Sequence, residues 1–285
     1  MNQVDSLVAG TVVLFNPGEE VHETINTYIR QVARLFVIDN STESNPSTVQ
    51  RLQQTENIVY VNNGGNKGIA NALNRGCAEA LRGGYKYLLT MDQDTALPPN
   101  FVRQLMKGFV ENASEMIGIV APRYAASNSA EKYERVPLTM TSGNILNLSA
   151  YLRIGPFLNE LFIDHVDHEF CLRLRQNGYD IVQANEVMIV HRPGHLVSFK
   201  FFGKKVAFSS HSPIRLYYFS RNGFYVGSQY RKSFPEFSVL FRNLLLKEIM
   251  KIPFESNKFL RLKMIIKGYR DYRSEKLGAI GPMKR

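Results

Sequence analysis

The sequence predicts an α/β protein, with a mostly parallel central sheet flanked by helices and a basic helical extension at its C-terminal end. Three observations predict it. Short apolar, β-branched runs alternate with helical stretches, which implies right-handed crossovers between parallel strands. Four of the runs end on Asn16, Asp39, Asn62 and Asp92, and ligands of open α/β sheets sit beyond the carboxyl ends of the strands. Charge is also divided unevenly: residues 1–190 hold 15 Lys and Arg against 20 Asp and Glu, and residues 191–285 hold 20 against 5.

The elements follow in order. Val8 to Phe15 is an apolar run stopped by Asn16-Pro17-Gly18, a strand followed by a turn. Glu19 to Ala33 has helical character with acids in its first turn. Leu35 to Ile38 is a second strand, stopped by Asp39-Asn40-Ser41-Thr42. A polar, turn-rich stretch separates it from a third strand, Ile58 to Val61. Asn62 to Gly68 is a loop rich in Asn and Gly, Gly68 to Leu81 a helix, and Tyr85 to Met91 a fourth strand running into Asp92. Further on, Asp164 to Arg173 carries acids at the start of a helix that Gly178 ends, and Val187 to Val190 is a strand leading to His191.

Length and composition bound the function. The chain of 285 residues, 44% hydrophobic and 21% charged, has the make-up of an ordinary globular protein. Met1 to Gly10 lacks the basic and apolar regions of a secretory signal. No apolar stretch reaches the length of about 18 residues that spans a bilayer. Two cysteines, Cys77 and Cys171, make no disulfide framework and point to a reducing compartment, the cytosol. The positive C-terminal part calls for an anionic partner.

The candidate chemistry gathers at the strand ends. Asp92-Gln93-Asp94 follows a buried strand, where two carboxylates can reach one cation; elsewhere the same pattern is usually a solvated acidic turn. Mg2+ or Mn2+ takes oxygen ligands and keeps part of its shell for diphosphate oxygens. The loop Asn62 to Gly68 lets backbone approach a ligand at a helix N-terminus, which favours anions. It is neither a P-loop nor a dinucleotide fingerprint. Asp167 is the candidate general base for an acceptor hydroxyl, with Glu169 orienting groups nearby. His191, at a strand end, is a candidate metal ligand beside the structural alternative, and His195 and His211 lie close to it in sequence.

In this order the motifs resemble a family 2 glycosyltransferase of the GT-A type, a Rossmann-like α/β fold, and in particular the bacterial rhamnosyltransferases of surface polysaccharide synthesis. The matching stretches are Val12 to Pro17, Val37 to Ser41, Asn62 to Gly76, Leu88 to Thr95, Thr141 to Asn144, Phe162 to Gly178 and His191 to Gly194. His211 to Tyr218 with Arg221-Asn222 is the part most like the rhamnosyltransferases. The resemblance implies an inverting hexosyltransferase with a catalytic domain over residues 1–230, a nucleotide-sugar half to about residue 100 and an acceptor half after it. Residues 231–285 form the basic helical region. It implies donor contacts from Phe15, Asn16, Asp39, Asn66, Gly68, Asp92 and Gln93, with Asp39 on the nucleoside. Asp94 and His191 become metal ligands, and Asp92 serves either the ribose or the metal. Gly143, Asn144, Glu169 and Arg173 support the acceptor side, and Asp167 is the inverting base. Val166 stands where many relatives carry a further acid, so Asp167 is assigned from the alignment of Cys171-Leu172-Arg173, with Glu169 the alternative.

The donor implied is dTDP-L-rhamnose, with galactofuranose, glucose or N-acetylglucosamine nucleotides as alternatives. The acceptor is a glycan or lipid-linked saccharide of O-antigen or similar lipopolysaccharide. The segments 234–252 and 258–272 read as basic amphipathic helices, which either pack on the domain or attach the protein to the inner face of the plasma membrane. A sugar-1-phosphate nucleotidyltransferase would need a basic glycine-rich loop after the first strand, where the sequence is Asn16-Pro17-Gly18-Glu19-Glu20. Nucleic-acid binding would explain the charge but not the acids at strand ends, so no nucleic acid is expected.

Overall fold

The computed structural model describes residues 7–112, 116–124, 130–189, 196–201 and 204–281. Strand β1 (Val8–Leu14) is buried along its whole length, as suits a Val-rich run covered on both faces. The helix expected over Glu19 to Ala33 is shorter: α1 (Val21–Asn26) is followed by a separate 3-10 turn at Ile29–Gln31. The break has a local cause. Thr27 Oγ1 donates to the Thr24 carbonyl at 2.7 Å and Gln31 Nε2 to the Thr27 carbonyl at 2.8 Å, so side chains take acceptors a longer helix would use.

Strand β2 (Leu35–Asp39) is buried throughout. The polar stretch after it contains a helix, α2 (Pro46–Gln54), begun by Asn45, whose side chain accepts from the Ser47 amide, and by Pro46 in the first turn. Then come β3 (Ile58–Asn62), α3 (Ile69–Arg82) and β4 (Tyr87–Asp92). Next are α4 (Phe101–Glu111), β5 (Ile117–Arg123), β6 (Tyr133–Arg135), β7 (Asn144–Asn147) and α5 (Leu148–Ile154). They are followed by α6 (Val166–Gln176), β8 (Asp180–Met188) and the strands β9 (Leu196–Phe201) and β10 (Lys204–Ser209). Three helices end the chain: α7 (Pro213–Gln229), α8 (Pro235–Lys251) and α9 (Lys258–Arg273).

The main sheet has the order β3-β2-β1-β4-β7-β5-β8-β6. Its first four strands are parallel, β7 runs against both β4 and β5, β8 returns parallel to β5, and β6 closes the edge antiparallel. The predicted mostly parallel sheet is therefore present. From β1 the chain steps outward through β2 to β3 and then crosses back past β1 to β4, which makes the β1/β4 boundary a topological switch point. Register aligns the strand ends there: Leu14 pairs with Asp39, Val13 with Asp92, and Asp39 with Asn62. Helix α3 lies close on β1, since a Cβ on Gly76 would sit 2.3 Å from Thr11 Oγ1. Val12, Leu89, Met91, Phe101, Leu105, Val120 and Ile145 belong to one buried core.

The described chain forms two compact units. One holds the residues up to 159 with 170–189, and the other holds 160–169 with those from 196 on. In the second unit, α8 and α9 both pack on α7: Phe224 of α7 meets Phe241, Tyr269 and Tyr272. Gly268 lets α9 approach closely, because a Cβ there would lie 2.5 Å from the Tyr217 carbonyl oxygen. This grouping by packing runs across the 230/231 division expected from the sequence. Among the described residues no helix is long and apolar enough to cross a membrane.

Candidate active site

The rim at the end of β1, β2 and β4 is built around Asp39, which is 2% exposed. Its carboxylate accepts from the Ser41 amide at 2.9 Å, from Ser44 Oγ at 2.8 Å and from the Tyr60 hydroxyl. Burial alone would push this carboxyl up, but the hydrogen bonds from Ser41, Tyr60 and Ser44 outweigh it and hold the group below the usual carboxylate range. Ser44 and Tyr60 also line a surface pocket with Pro46, Val49 and Asn62. Asn16, in the left-handed region at φ 45°, donates its amide to Ser41 Oγ at 2.7 Å. Its side-chain oxygen accepts from the Thr42 amide at 3.1 Å.

Asn40 ties the end of β2 to the loop before α3. Its Oδ1 accepts from Asn63 Nδ2 at 2.9 Å and from the Lys67 amide at 3.0 Å, while its Nδ2 donates to Asn66 Oδ1 at 3.1 Å. Asn66 Oδ1 accepts in turn from the Gly68 amide at 3.0 Å. Gly64, Gly65 and Gly68 have φ of 72°, 97° and 87°, a course open to glycine. A Cβ on Gly65 would meet nothing within 4 Å, so the loop presents bare backbone to open space.

At the end of β4, Gln93 clamps the end of β1. Its Oε1 accepts from the Phe15 amide at 2.8 Å and its Nε2 donates to the Phe15 carbonyl at 3.4 Å. Phe15 is left 45% exposed, a ring face available for stacking. The Asp92 amide donates to Ser142 Oγ at 3.0 Å, and the Gly143 amide donates to the Thr90 carbonyl at 2.7 Å. Asn144 is buried, accepting from the Tyr124 hydroxyl at 3.0 Å and donating to the Met140 carbonyl. Ser142 is thus the residue bonded to Asp92, and Gly143 and Asn144 anchor the segment that carries it. Burial raises the hydroxyl pKa of Tyr28, and the nearby Asp92 carboxylate raises it further.

Asp94 is exposed, and its Oδ1 accepts from Thr95 Oγ1 at 3.2 Å. With half-buried Asp92 it offers hard oxygens of the kind that Mg2+ or Mn2+ prefers. Among the described residues no three His, Cys, Asp or Glu side chains converge on a metal position. His191 and His195 lie outside the described residues.

Asp167 and Glu169 belong to the second unit, in the first turn of α6. Glu169 is 2% exposed and accepts from the Tyr230 hydroxyl at 2.8 Å. Asp167 is half-buried and accepts from the His168 amide at 2.8 Å. Of the two, Asp167 is the less buried carboxylate. Phe162, Asp164 and His165 just before it all have positive φ. Asn222 holds this segment by donating to the carbonyls of Leu161 and Ile163, both at 2.7 Å, and of Asp164 at 3.0 Å. Fully buried Arg221 adds bonds to the Glu160 carbonyl at 3.1 Å and the Leu161 carbonyl at 3.2 Å. His165 Nδ1 stands 2.9 Å from His168 Nδ1. Burial and then the His168 charge drive its pKa well below the ordinary value, which leaves the ring neutral. Arg173 lies in the first unit, donating to the carbonyls of Ile154 at 3.0 Å and Pro156 at 2.8 Å. There it fixes the turn after α5.

A family model described as glycosyl transferase family 2 matches residues 11–177, more than half of the chain and all of the rim just described. The chain belongs to glycosyl transferase family 2. This glycosyltransferase is 27% identical over 244 residues to the dTDP-rhamnosyl transferase RfbF of Shigella flexneri, covering 78% of this chain and 80% of that one. Its fold is that of solved GT-A glycosyltransferases. A structure of GalNAc-T7 with UDP, GalNAc and Mn2+ superposes with a TM-score of 0.61 at 12% identity, over 96% of this chain and 57% of that one. The S. aureus TarS fragment 1–349 in complex with UDP-GlcNAc gives 0.56 at 14% identity, over 94% and 81%. A longer TarS structure gives 0.54 at 15%, and this chain spans 40% of its length.

Sequence reasoning about the family 2 site missed Asn40, Ser41, Asn63 and Tyr60. The first three are polar residues at the ends of apolar runs, the signal that picked out Asp39. Tyr60 lies inside β3 and reaches Asp39 only through parallel pairing with β2, which nothing local announces.

Proposed function

We propose that this family 2 glycosyltransferase transfers L-rhamnose from dTDP-L-rhamnose, with inversion, onto a glycan or lipid-linked saccharide during bacterial surface polysaccharide synthesis. The observation that supports the donor is the 27% identity to a dTDP-rhamnosyl transferase over most of both chains. Asp39, Phe15 and Asn16 would hold the nucleoside, and Asn66, Gly68, Asp92 and Gln93 would line the donor cleft. Asp94, with Asp92 and His191, would hold Mg2+ or Mn2+, which when bound neutralises the charge of the departing diphosphate. The acceptor oxygen attacks the anomeric carbon, its proton passes to the Asp167 carboxylate, and the bond from that carbon to the diphosphate oxygen breaks. The partial exposure of Asp167 and the burial of Glu169 support this choice of base. A lipid-linked acceptor would place the enzyme at the cytoplasmic face of the membrane.

The test is nucleoside diphosphate release from a panel of dTDP-L-rhamnose, UDP-glucose, UDP-N-acetylglucosamine and UDP-galactofuranose, with Mg2+ or Mn2+ and membrane glycolipid. Release is expected with dTDP-L-rhamnose above the others, and Asp94→Ala is expected to lower it at least about 100-fold. Turnover of a UDP-sugar alone would reassign the donor. Full activity in Asp94→Ala would remove the metal role from that carboxylate.

A further inference from the structure

Helices α8 and α9 carry apolar residues on two faces. The inner faces are used: Phe237, Phe241, Met264 and Ile265 are buried in the second unit. The outer faces remain apolar where water would favour polar side chains. Leu246 and Met250 on α8 are 56% and 64% exposed, and Phe254 in the turn 45%. On α9, Phe259 is 90% exposed, with Leu262 and Ile266 at 44% and 42%. Leu246 and Met250 are four residues apart, and Phe259, Leu262 and Ile266 recur at three and four, so each set forms one stripe. Met250 at the end of α8, Phe254 in the turn and Phe259 at the start of α9 lie where the two helices join.

Charge decides what such a surface fits. From Phe237 to Arg273 the acids are Glu248, Glu255 and Asp271. Each is paired within the unit: Glu248 with Lys251, Glu255 with Arg261 at 3.0 Å, and Asp271 with Lys267 at 2.6 Å. The exposed charges in this segment are Arg242, Lys247, Lys258, Lys263, Arg270 and Arg273, all cationic. A second copy of the same surface would set cation against cation. Nucleic acid would match the charge but leave Phe259 and Met250 in water. A bilayer with anionic headgroups satisfies both requirements, with hydrocarbon below the headgroups and lysines at their level.

We propose that the exposed apolar residues of α8, α9 and the turn between them, Met250, Phe254 and Phe259 first, form a docking surface for an anionic lipid bilayer. The surface rests on the exposure and charge of these helices and not on the identity of the donor sugar. Its test is run without nucleotide-sugar: the full chain is sedimented with vesicles of phosphatidylcholine alone or mixed with phosphatidylglycerol. Binding is expected to the mixed vesicles and to weaken in high salt. Met250→Ser with Phe259→Ser is expected to lower partitioning by about tenfold or more. Lys247→Gln with Lys258→Gln is expected to lower it by about 30-fold. Absence of binding to the mixed vesicles, or equal binding to both kinds, would overturn the proposal. So would a wild-type dimer in light scattering that Met250→Ser with Phe259→Ser turns into a monomer, because the surface would then belong to a second copy.

Discussion

A carboxylate buried as deeply as that of Asp39 would ordinarily gain a proton, and it stays ionised because four donor groups on Ser41, Ser44 and Tyr60 surround it. Its folded pKa is lowered, so its stabilisation is complete above the unfolded value of about 4 and is lost as pH falls through the folded value. Asp39→Asn is therefore expected to cost about 1–3 kcal/mol near neutrality. That gap should close below about pH 4, as urea unfolding at the two pH values would show. Donor affinity should fall as well. At Asp167 and Glu169 the expectations separate by burial. Asp167→Asn should lower transfer by about 100-fold or more with an unchanged melting temperature. Glu169→Gln weakens a buried contact to Tyr230 and should lower the melting temperature. The reverse pattern would move the base to Glu169.

At the scale of elements, what could be read from sequence was decided by burial. Strands β1 and β2 are buried throughout and carry little but apolar residues, so their runs stood out. The rim was legible for the same reason, since a polar residue that ends such a run marks a strand end. Helix α2 was not legible because Thr48 and Leu52 are its only buried residues and, Pro46 and Val49 apart, its remaining side chains are polar like those of a loop. The α1 region was overread because Thr27 and Gln31 redirect hydrogen bonds in a segment whose acids suggest a helix. Close approaches between elements were also hidden, though their glycines were visible. Gly76→Ala and Gly268→Ala each gain helix propensity of about 1 kcal/mol. The added Cβ meets Thr11 in one and the Tyr217 carbonyl in the other, and overpacking of this kind costs about 1–3 kcal/mol. Gly268 faces backbone that cannot rotate away, so its variant should melt lower than that of Gly76. A rise in melting temperature for Gly268→Ala would contradict the close packing of α9 on α7.

For the whole molecule, the basic C-terminal helices have a role in the fold of the second unit that is separate from any membrane contact. Arg221 is fully buried and, among the described residues, meets no carboxylate: its charge rests on the carbonyls of Glu160, Leu161 and Gly278 and on the faces of Tyr217 and Tyr218. One of those carbonyls, that of Gly278, comes from beyond α9. His165, two residues before Asp167, packs against Phe237 and Phe241 of α8. Truncation after Tyr230 would remove the Gly278 carbonyl, the aromatic rings against His165 and the two helices that cover α7. The segment that carries Asp167 should then lose its conformation. The core around Val12, Leu89 and Phe101 lies wholly within the first unit and would be untouched. The truncated chain is accordingly expected to bind nucleotide-sugar while transferring it to a water-soluble acceptor at least about 100-fold more slowly. If the helices served only as a membrane tether, that transfer would continue at the full rate, and comparing it with binding measured by calorimetry on the same protein separates the two roles.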